Sequence, residues 1–381
     1  MRLGINAFNI RRGGGVTHLV ELLAAANPEE QGFFEVIVWA PNDTLNYITN
    51  KAWLVKKSIP TTKSWFFKIV WLIFTFRREA KECDILLIPG GSYFNFGKPY
   101  VTMLQNMLPF DAKENKRYFQ ASIKTYIKCQ LLALTQRFTL KKSMGAIYPS
   151  NYAKNIIQAS VRNSEQVNSI VIPHGIHESF FKKITVNKSN NFKNKPIRLL
   201  YVSIIDVYKH QWHVVHAVKL LRDEGFMVEL DLIGPVGNDH SLKLLKKAIQ
   251  QVDPDKTFIH VLGEVSHHKL PDFYAKTDIF VFASSCESIS IIIQEAMAAG
   301  LPIACSNKGA MSELLKDAGI YFDPENPYEI AAAIKSLLTD LTLRTDLAAR
   351  AKKYSEVFKW SRCTLETFSF CADMAKLQKK S

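Results

Sequence analysis

Residues 280–302 read FVFASSCESISIIIQEAMAAGLP, and the reading of this stretch decides the fold. It opens on the end of Thr277-Asp-Ile-Phe-Val-Phe, a short β-branched and aromatic run that predicts a buried parallel strand. The small polar turn Ala283-Ser-Ser-Cys follows. From Glu287 onward apolar residues fall at 289, 292, 293, 296 and 297, the spacing of a helix face. Gly300 and Pro302 stop that helix, and Pro302-Ile-Ala-Cys begins the next strand. Glu287 and Glu295 stand eight positions apart, about two helical turns, which places both carboxylates near one face. A helix starting at Glu287 aims the N–H groups of Ser288, Ile289 and Ser290 over the strand end, where an anion, usually a phosphate, is favoured. An ionised carboxylate only accepts hydrogen bonds, so it suits hydroxyl groups. N–H groups for phosphate beside carboxylates for hydroxyls fit a sugar nucleotide.

Glu287-x7-Glu295 with the following EAMAAGLPIACSNKGAMSELL resembles the donor-binding signature of retaining GT-B glycosyltransferases of family 4, the "glycosyl transferases group 1" type. The resemblance runs from Ile197 to about Leu338 and continues more loosely over the N-terminal half. It implies two Rossmann-like α/β domains with parallel sheets facing a central cleft. The implied boundaries are 1–182 for an acceptor domain, 183–196 for a linker, 197–357 for a nucleotide-sugar domain, and 358–381 for a helix crossing back to the first domain. It places Glu287 near the donor sugar and Glu295 on the ribose hydroxyls. It also places the turn Gly263-Glu264-Val265 on the nucleobase.

Composition limits the alternatives. A chain of 381 residues with 47% hydrophobic residues has room for two cores. The start, Met1-Arg-Leu-Gly-Ile-Asn-Ala-Phe, reads as a strand running into a glycine-rich turn, not as a leader segment. No apolar run is long enough to span a bilayer. Six cysteines, at 83, 129, 286, 305, 363 and 371, show no ligand spacing and read as reduced thiols of a cytoplasmic protein. The net charge is +14, and residues 51–150 hold 17 Lys/Arg against 5 Asp/Glu, a net of +12. Such a block suits an anionic partner, and peripheral attachment to the inner face of the cytoplasmic membrane is the expected form.

The remaining landmarks follow the chain. Arg11-Arg-Gly13-Gly14-Gly15-Val-Thr-His lies between a strand and a helix predicted from about Val16 to Ala26. Glycines there let backbone approach a phosphate closely, although the motif is neither a P-loop nor G-x-G-x-x-G. The resemblance assigns this loop to the diphosphate or the acceptor. The stretch KSWFFKIVWLIFTFRR at 63–78 reads either as an interfacial amphipathic helix or as a buried helix. Gln105-Asn106 stand where the family carries His-Asp, and their amides remain able to bind sugar or phosphate. The eight Lys/Arg between 112 and 144 mark basic helices, either a solvated face or a surface for a membrane-borne acceptor. His174, in Pro173-His-Gly-Ile, reads as a turn residue near the cleft. Ser203 replaces a family glycine after the strand Ile197–Val202. Lys209 remains of a basic pair there, as a clamp for the diphosphate.

These readings converge on a retaining sugar transferase that moves a sugar from a nucleotide sugar to a saccharide or lipid-linked saccharide, in bacterial surface polysaccharide assembly. Glu287, Lys209 and Asn106 are its expected catalytic residues. Donor binding falls to Glu295, Ser288, Ile289, Ser290, Ser203, Gly263, Glu264 and Val265. Asp253-Pro-Asp255 reads as a loop, and no metal and no cofactor are expected. A sugar-nucleotide epimerase on the same fold, or an inactive nucleotide-sugar-binding module, are the rival readings. Nucleic acid is not expected as a partner, because no recognition motif accompanies the charge.

Overall fold

The structure is a computed structural model that describes residues 1–11, 13–60, 70–93, 97–162, 166–181 and 196–379. The chain divides into two compact units. One comprises residues 1–110, 129–175 and 358–381, and the other comprises 111–128 and 176–357. The second unit thus includes a segment, 111–128, that the sequence reading places in the first. The tail from 358 packs within the first unit. Of the expected linker at 183–196, residues 183–195 lie outside the described residues.

The first unit holds a seven-stranded parallel sheet in the order β3-β2-β1-β4-β5-β6-β7. Its strands are β1 (Arg2–Asn6), β2 (Glu35–Ala40), β3 (Leu54–Ser58), β4 (Ile85–Ile88), β5 (Tyr100–Met103), β6 (Gly145–Tyr148) and β7 (Asn168–Val171). Leu3 pairs with Val36 on one side and with Ile85 on the other, so β1 is a central strand. Leu3, Gly4, Ile5 and Asn6 are all buried, as in a strand covered on both faces. Helix α1 (Gly14–Ala24) leaves β1 through a glycine turn. Gly13 has φ +67°, the left-handed region that glycine enters at no steric cost, and Gly14 and Gly15 form the first helical turn.

Leu19 and Leu22 of α1 join Leu3 and Ile5 in a core that the tail helix also enters with Phe368 and Cys371. His174 is buried. Its ring lies 4.5 Å from that of His18 and stacks on Trp360 at 6.3 Å. Gly175 has no room for a side chain, because a Cβ there would meet the Trp360 nitrogen at 2.4 Å. Of the aromatic stretch at 63–78, residues 63–69 lie outside the described residues; in the remainder Phe76 is buried and Phe74 is exposed.

Helix α2 (Ala112–Ala121) is capped by the Asp111 carboxylate, which accepts from the Glu114 N–H. Helix α3 (Ile123–Lys142) follows directly. The second unit holds a six-stranded parallel sheet in the order β10-β9-β8-β11-β12-β13. Its strands are β8 (Ile197–Val202), β9 (Val228–Ile233), β10 (Ile259–Gly263), β11 (Ile279–Phe282), β12 (Ile303–Ser306) and β13 (Ile320–Phe322). Two parallel sheets with helical crossovers make the GT-B architecture that the resemblance implies. Among the described residues no helix is long and apolar enough to cross a membrane.

Candidate active site

The site gathers where strand β11 ends. Phe282 closes the strand, Ser284 to Ser290 form a loop, and helix α5 (Ile291–Ala298) begins only after Ser290. The helix starts four residues later than the apolar spacing suggests. Ser290 is the reason, because its side chain accepts from the Ile293 N–H and fixes the helix start there. Glu287 and Ser288, Ile289 and Ser290 therefore lie on the loop before the helix and not in its first turn. Glu287 and Glu295 are consequently not two turns apart on one helix face. The loop is held by Gly309, whose φ is +67° and whose position would put a Cβ 3.1 Å from the Glu287 nitrogen and 3.2 Å from its carbonyl oxygen.

Lys209 reaches the same place from the turn after β8, just before helix α4 (Gln211–Asp223). Its ammonium pairs with Glu287 Oε1, which also accepts from the Ser284 hydroxyl at 2.7 Å. The two side chains are 8% and 15% exposed, so this is a largely desolvated ion pair. The Lys209 ammonium also faces the Tyr208 and Phe282 rings, 4.8 and 5.1 Å from their centroids. The Lys209 carbonyl accepts from the Tyr201 hydroxyl, so both ends of the residue are fixed. Burial, then the Glu287 charge, drive the Tyr201 and Tyr208 hydroxyls well above their ordinary pKa, and both stay neutral. Ser203 follows β8 and lies against Gly234. That glycine, at φ +144°, approaches so closely that a Cβ would meet the Ser203 carbonyl at 2.0 Å.

Glu295 sits deeper. It is 1% exposed; its Oε1 lies 2.7 Å from His267 Nε2, and its Oε2 accepts from the Tyr274 hydroxyl at 3.2 Å. His267 itself is partly exposed and covers the carboxylate. Gly263 ends β10 at φ +72°, followed by exposed Glu264 and half-buried Val265. Asp253 serves the backbone: its carboxylate accepts from the N–H groups of Thr257, Phe258 and Ile259 and from the Thr257 hydroxyl.

Helix α2 completes the site from a part of the chain that sequence reasoning did not assign to it. Arg117 grips Glu325 with two nitrogens at 2.5 and 3.0 Å and Glu114 with a third at 2.8 Å. The Arg117 hydrogen bonds hold the Glu325 carboxyl at about 2. Tyr118 hydrogen-bonds the side chain of Asp206, which also accepts from Asn238 at 2.7 Å. Burial dominates at Asp206 and raises its pKa despite these bonds. His210 lies 2.9 Å from the Ser285 hydroxyl; burial, then the Arg117 charge, hold its pKa at about 3, so the imidazole is neutral. Apart from Arg117–Glu114, a pair three positions apart on one helix, these pairings have no short-range sequence signal, since each joins positions far apart in the chain.

The structure thus brings Lys209 and Glu287 into contact and sets Glu295 apart on α5. Asn106 and Gly13–Gly15 belong to the first unit. There the Asn106 side-chain oxygen accepts from the Leu108 N–H in a local turn, and Gln105 donates to the Pro89 carbonyl at 3.3 Å.

The model of glycosyl transferases group 1 matches residues 182–354. These residues are a glycosyl transferases group 1 domain. That group 1 domain contains Lys209, Glu287, Glu295 and the Gly263 turn. An O-antigen chain mannosyltransferase B of Escherichia coli is 36% identical over 112 residues, 29% of this chain and 29% of its own length. An uncharacterized glycosyltransferase of Methanocaldococcus jannaschii is 25% identical over 251 residues, 64% of this chain and 60% of its own. The chain therefore spans less than two thirds of these curated relatives. HepE of Anabaena in complex with UDP and glucose superposes with a TM-score of 0.73 at 17% identity, covering 100% of both chains, which shows the shared fold.

Proposed function

We propose that the protein is a retaining glycosyltransferase. It moves a sugar from a nucleotide sugar to a saccharide or lipid-linked saccharide acceptor, in the assembly of a bacterial surface polysaccharide. The observation that carries this reading is the desolvated Lys209–Glu287 pair at the end of β11, inside a group 1 domain. Support for a nucleotide-sugar donor comes from the relative solved with UDP and glucose, and for a surface polysaccharide from the O-antigen relative.

In this reading Lys209 meets the charge that develops on the departing diphosphate, with the start of helix α5 adding its dipole. Fixed donors in a dry site need no reorganisation as that charge appears, which is why such groups dominate transfer catalysis. Glu287 faces the sugar and stabilises its growing positive character while holding Lys209 in place. Ser284 keeps the carboxylate oriented. Glu295 takes the ribose hydroxyls with the acceptor capacity that His267 and Tyr274 leave over. Ser203, Ser288, Ile289 and Ser290 line the diphosphate and sugar, and Gly263, Glu264 and Val265 the base. The glycine loop Gly13–Gly15 and Asn106 serve the acceptor or diphosphate from the first unit. No metal has a step in this reading, because Lys209 supplies the cation. The protein acts as a peripheral protein on the inner face of the cytoplasmic membrane.

Release of nucleoside diphosphate from a panel of nucleotide sugars, with and without a lipid-linked acceptor, tests the proposal. One donor should be consumed with acceptor present, and the product anomer should match the donor's. Donor conversion without any acceptor would replace the reading by an epimerase. Donor binding without turnover under either condition would replace it by a binding module.

A further inference from the structure

Helix α3 is apolar on its outside. Ile123, Ile127, Leu131, Leu134 and Phe138 recur at steps of four, four, three and four, which makes one row along the helix. All five are 50–60% exposed. The buried side carries Cys129, Ala133, Gln136, Thr139 and Leu140. An ordinary surface helix turns its apolar stripe inward and its charges outward, so α3 departs from that arrangement. Exposed Lys124, Lys128, Lys141 and Lys142 flank the row. From residue 115 to 164 the chain carries nine Lys/Arg and no Asp or Glu.

We propose that the outer face of α3 is a docking surface for an anionic lipid membrane. The helix lies in the plane of the interface, with the apolar row in the boundary between headgroups and acyl chains and the lysines against lipid phosphates. The charge pattern selects this occupant. A second copy of the chain would bring two lysine-flanked rows together with no acid on either side to offset them. A nucleic acid would engage the lysines and leave the aliphatic row unused. The proposal rests on the peripheral-membrane part of the proposed function and narrows it to one helix face. It shifts the contact away from the aromatic stretch at 63–78.

Flotation of the full chain with phosphatidylcholine vesicles, and with vesicles of phosphatidylcholine mixed with phosphatidylglycerol, tests it. The variants are Ile127→Asn/Leu131→Asn/Leu134→Asn and, separately, Lys124→Glu/Lys128→Glu. All these positions are exposed, so both proteins should keep the wild-type melting temperature. The wild type should float with the anionic vesicles and lose binding as salt rises. The row variant should lose about tenfold or more in partitioning even at low salt, and the charge variant should lose binding to the anionic vesicles. A row variant that floats like the wild type overturns the assignment to α3 while leaving a membrane role in place. A wild type that floats with neither vesicle overturns the membrane role as well. A wild-type dimer that becomes a monomer in the row variant, with flotation unchanged, shows a second copy as the occupant and also overturns the proposal.

Discussion

Removing either partner of the Lys209–Glu287 pair should cost stability, and removing both should cost less than the sum. Among the described residues Lys209→Met leaves the Glu287 carboxylate with the Ser284 hydroxyl, and Glu287→Gln leaves a cation that is 8% exposed without its counter-charge. Breaking a fully buried pair costs about 3–5 kcal/mol. Glu287 is 15% exposed, and a Gln amide oxygen still accepts from Lys209, which lowers the expectation to about 2 kcal/mol for Glu287→Gln. Lys209→Met removes the cation and keeps its stem against the Tyr208 and Phe282 rings, so about 2–3 kcal/mol is expected there. The double variant has no unpaired charge, and the coupling energy should be about 2 kcal/mol. Urea unfolding of the four proteins gives that coupling directly. Diphosphate release by the same proteins should fall about a hundredfold or more in kcat for each single variant, because about 3 kcal/mol of transition-state stabilisation is at stake. Single-variant losses that add to within about 0.5 kcal/mol would refute the pair as a coupled unit. Unchanged kcat in Glu287→Gln would refute its place beside the reacting sugar.

Three further outcomes are expected. Glu295→Gln should raise donor KM with kcat nearly kept, since the ribose does not react; steady-state kinetics decides this, and a loss confined to kcat contradicts it. Gly309→Ala should destabilise by about 1–2 kcal/mol through strain at positive φ, and should lower kcat by moving Glu287, as denaturation and turnover measured together would show. The third outcome concerns pH. Burial holds His18 at about 4 against an ordinary value of 6.5, so between those values the unfolded chain binds a proton that the folded chain does not. Stability is then complete above about pH 6.5 and falls toward pH 4, by about 3 kcal/mol from this residue. Buried His174 beside it is also held low and acts in the same direction. Unfolding free energies of wild type and His18→Gln across that window should differ in slope, with the variant flatter, and equal slopes would contradict the assignment.

The fold was legible because its signals are local. Runs such as Ile279–Phe282 and glycines at strand ends each act within a few positions. The approach of Lys209 to Glu287 was foreshadowed only as two assignments to one ligand, and their direct contact comes from the neighbouring positions of β8 and β11 in the sheet. The helix start at 291 was misplaced because apolar spacing continues through Ile289, and the capping oxygen of Ser290 outweighs it. The outward row on α3 was hidden for a different reason. Lysines interleaved with aliphatics look like a solvated helix until burial shows which side faces in. The partners of Glu295, His267 and Tyr274, and the grip of Arg117 on Glu325, depend on tertiary placement alone.

Helix α2 sets a boundary that matters for recombination between relatives. A fragment cut at residue 176 to carry the second sheet alone would leave Arg117 and Tyr118 behind. Glu325 would then lose its charged fork, and Asp206 would lose the tyrosine bonded to its buried side chain. A chimera that exchanges the second unit therefore has to transplant 111–128 together with 176–357.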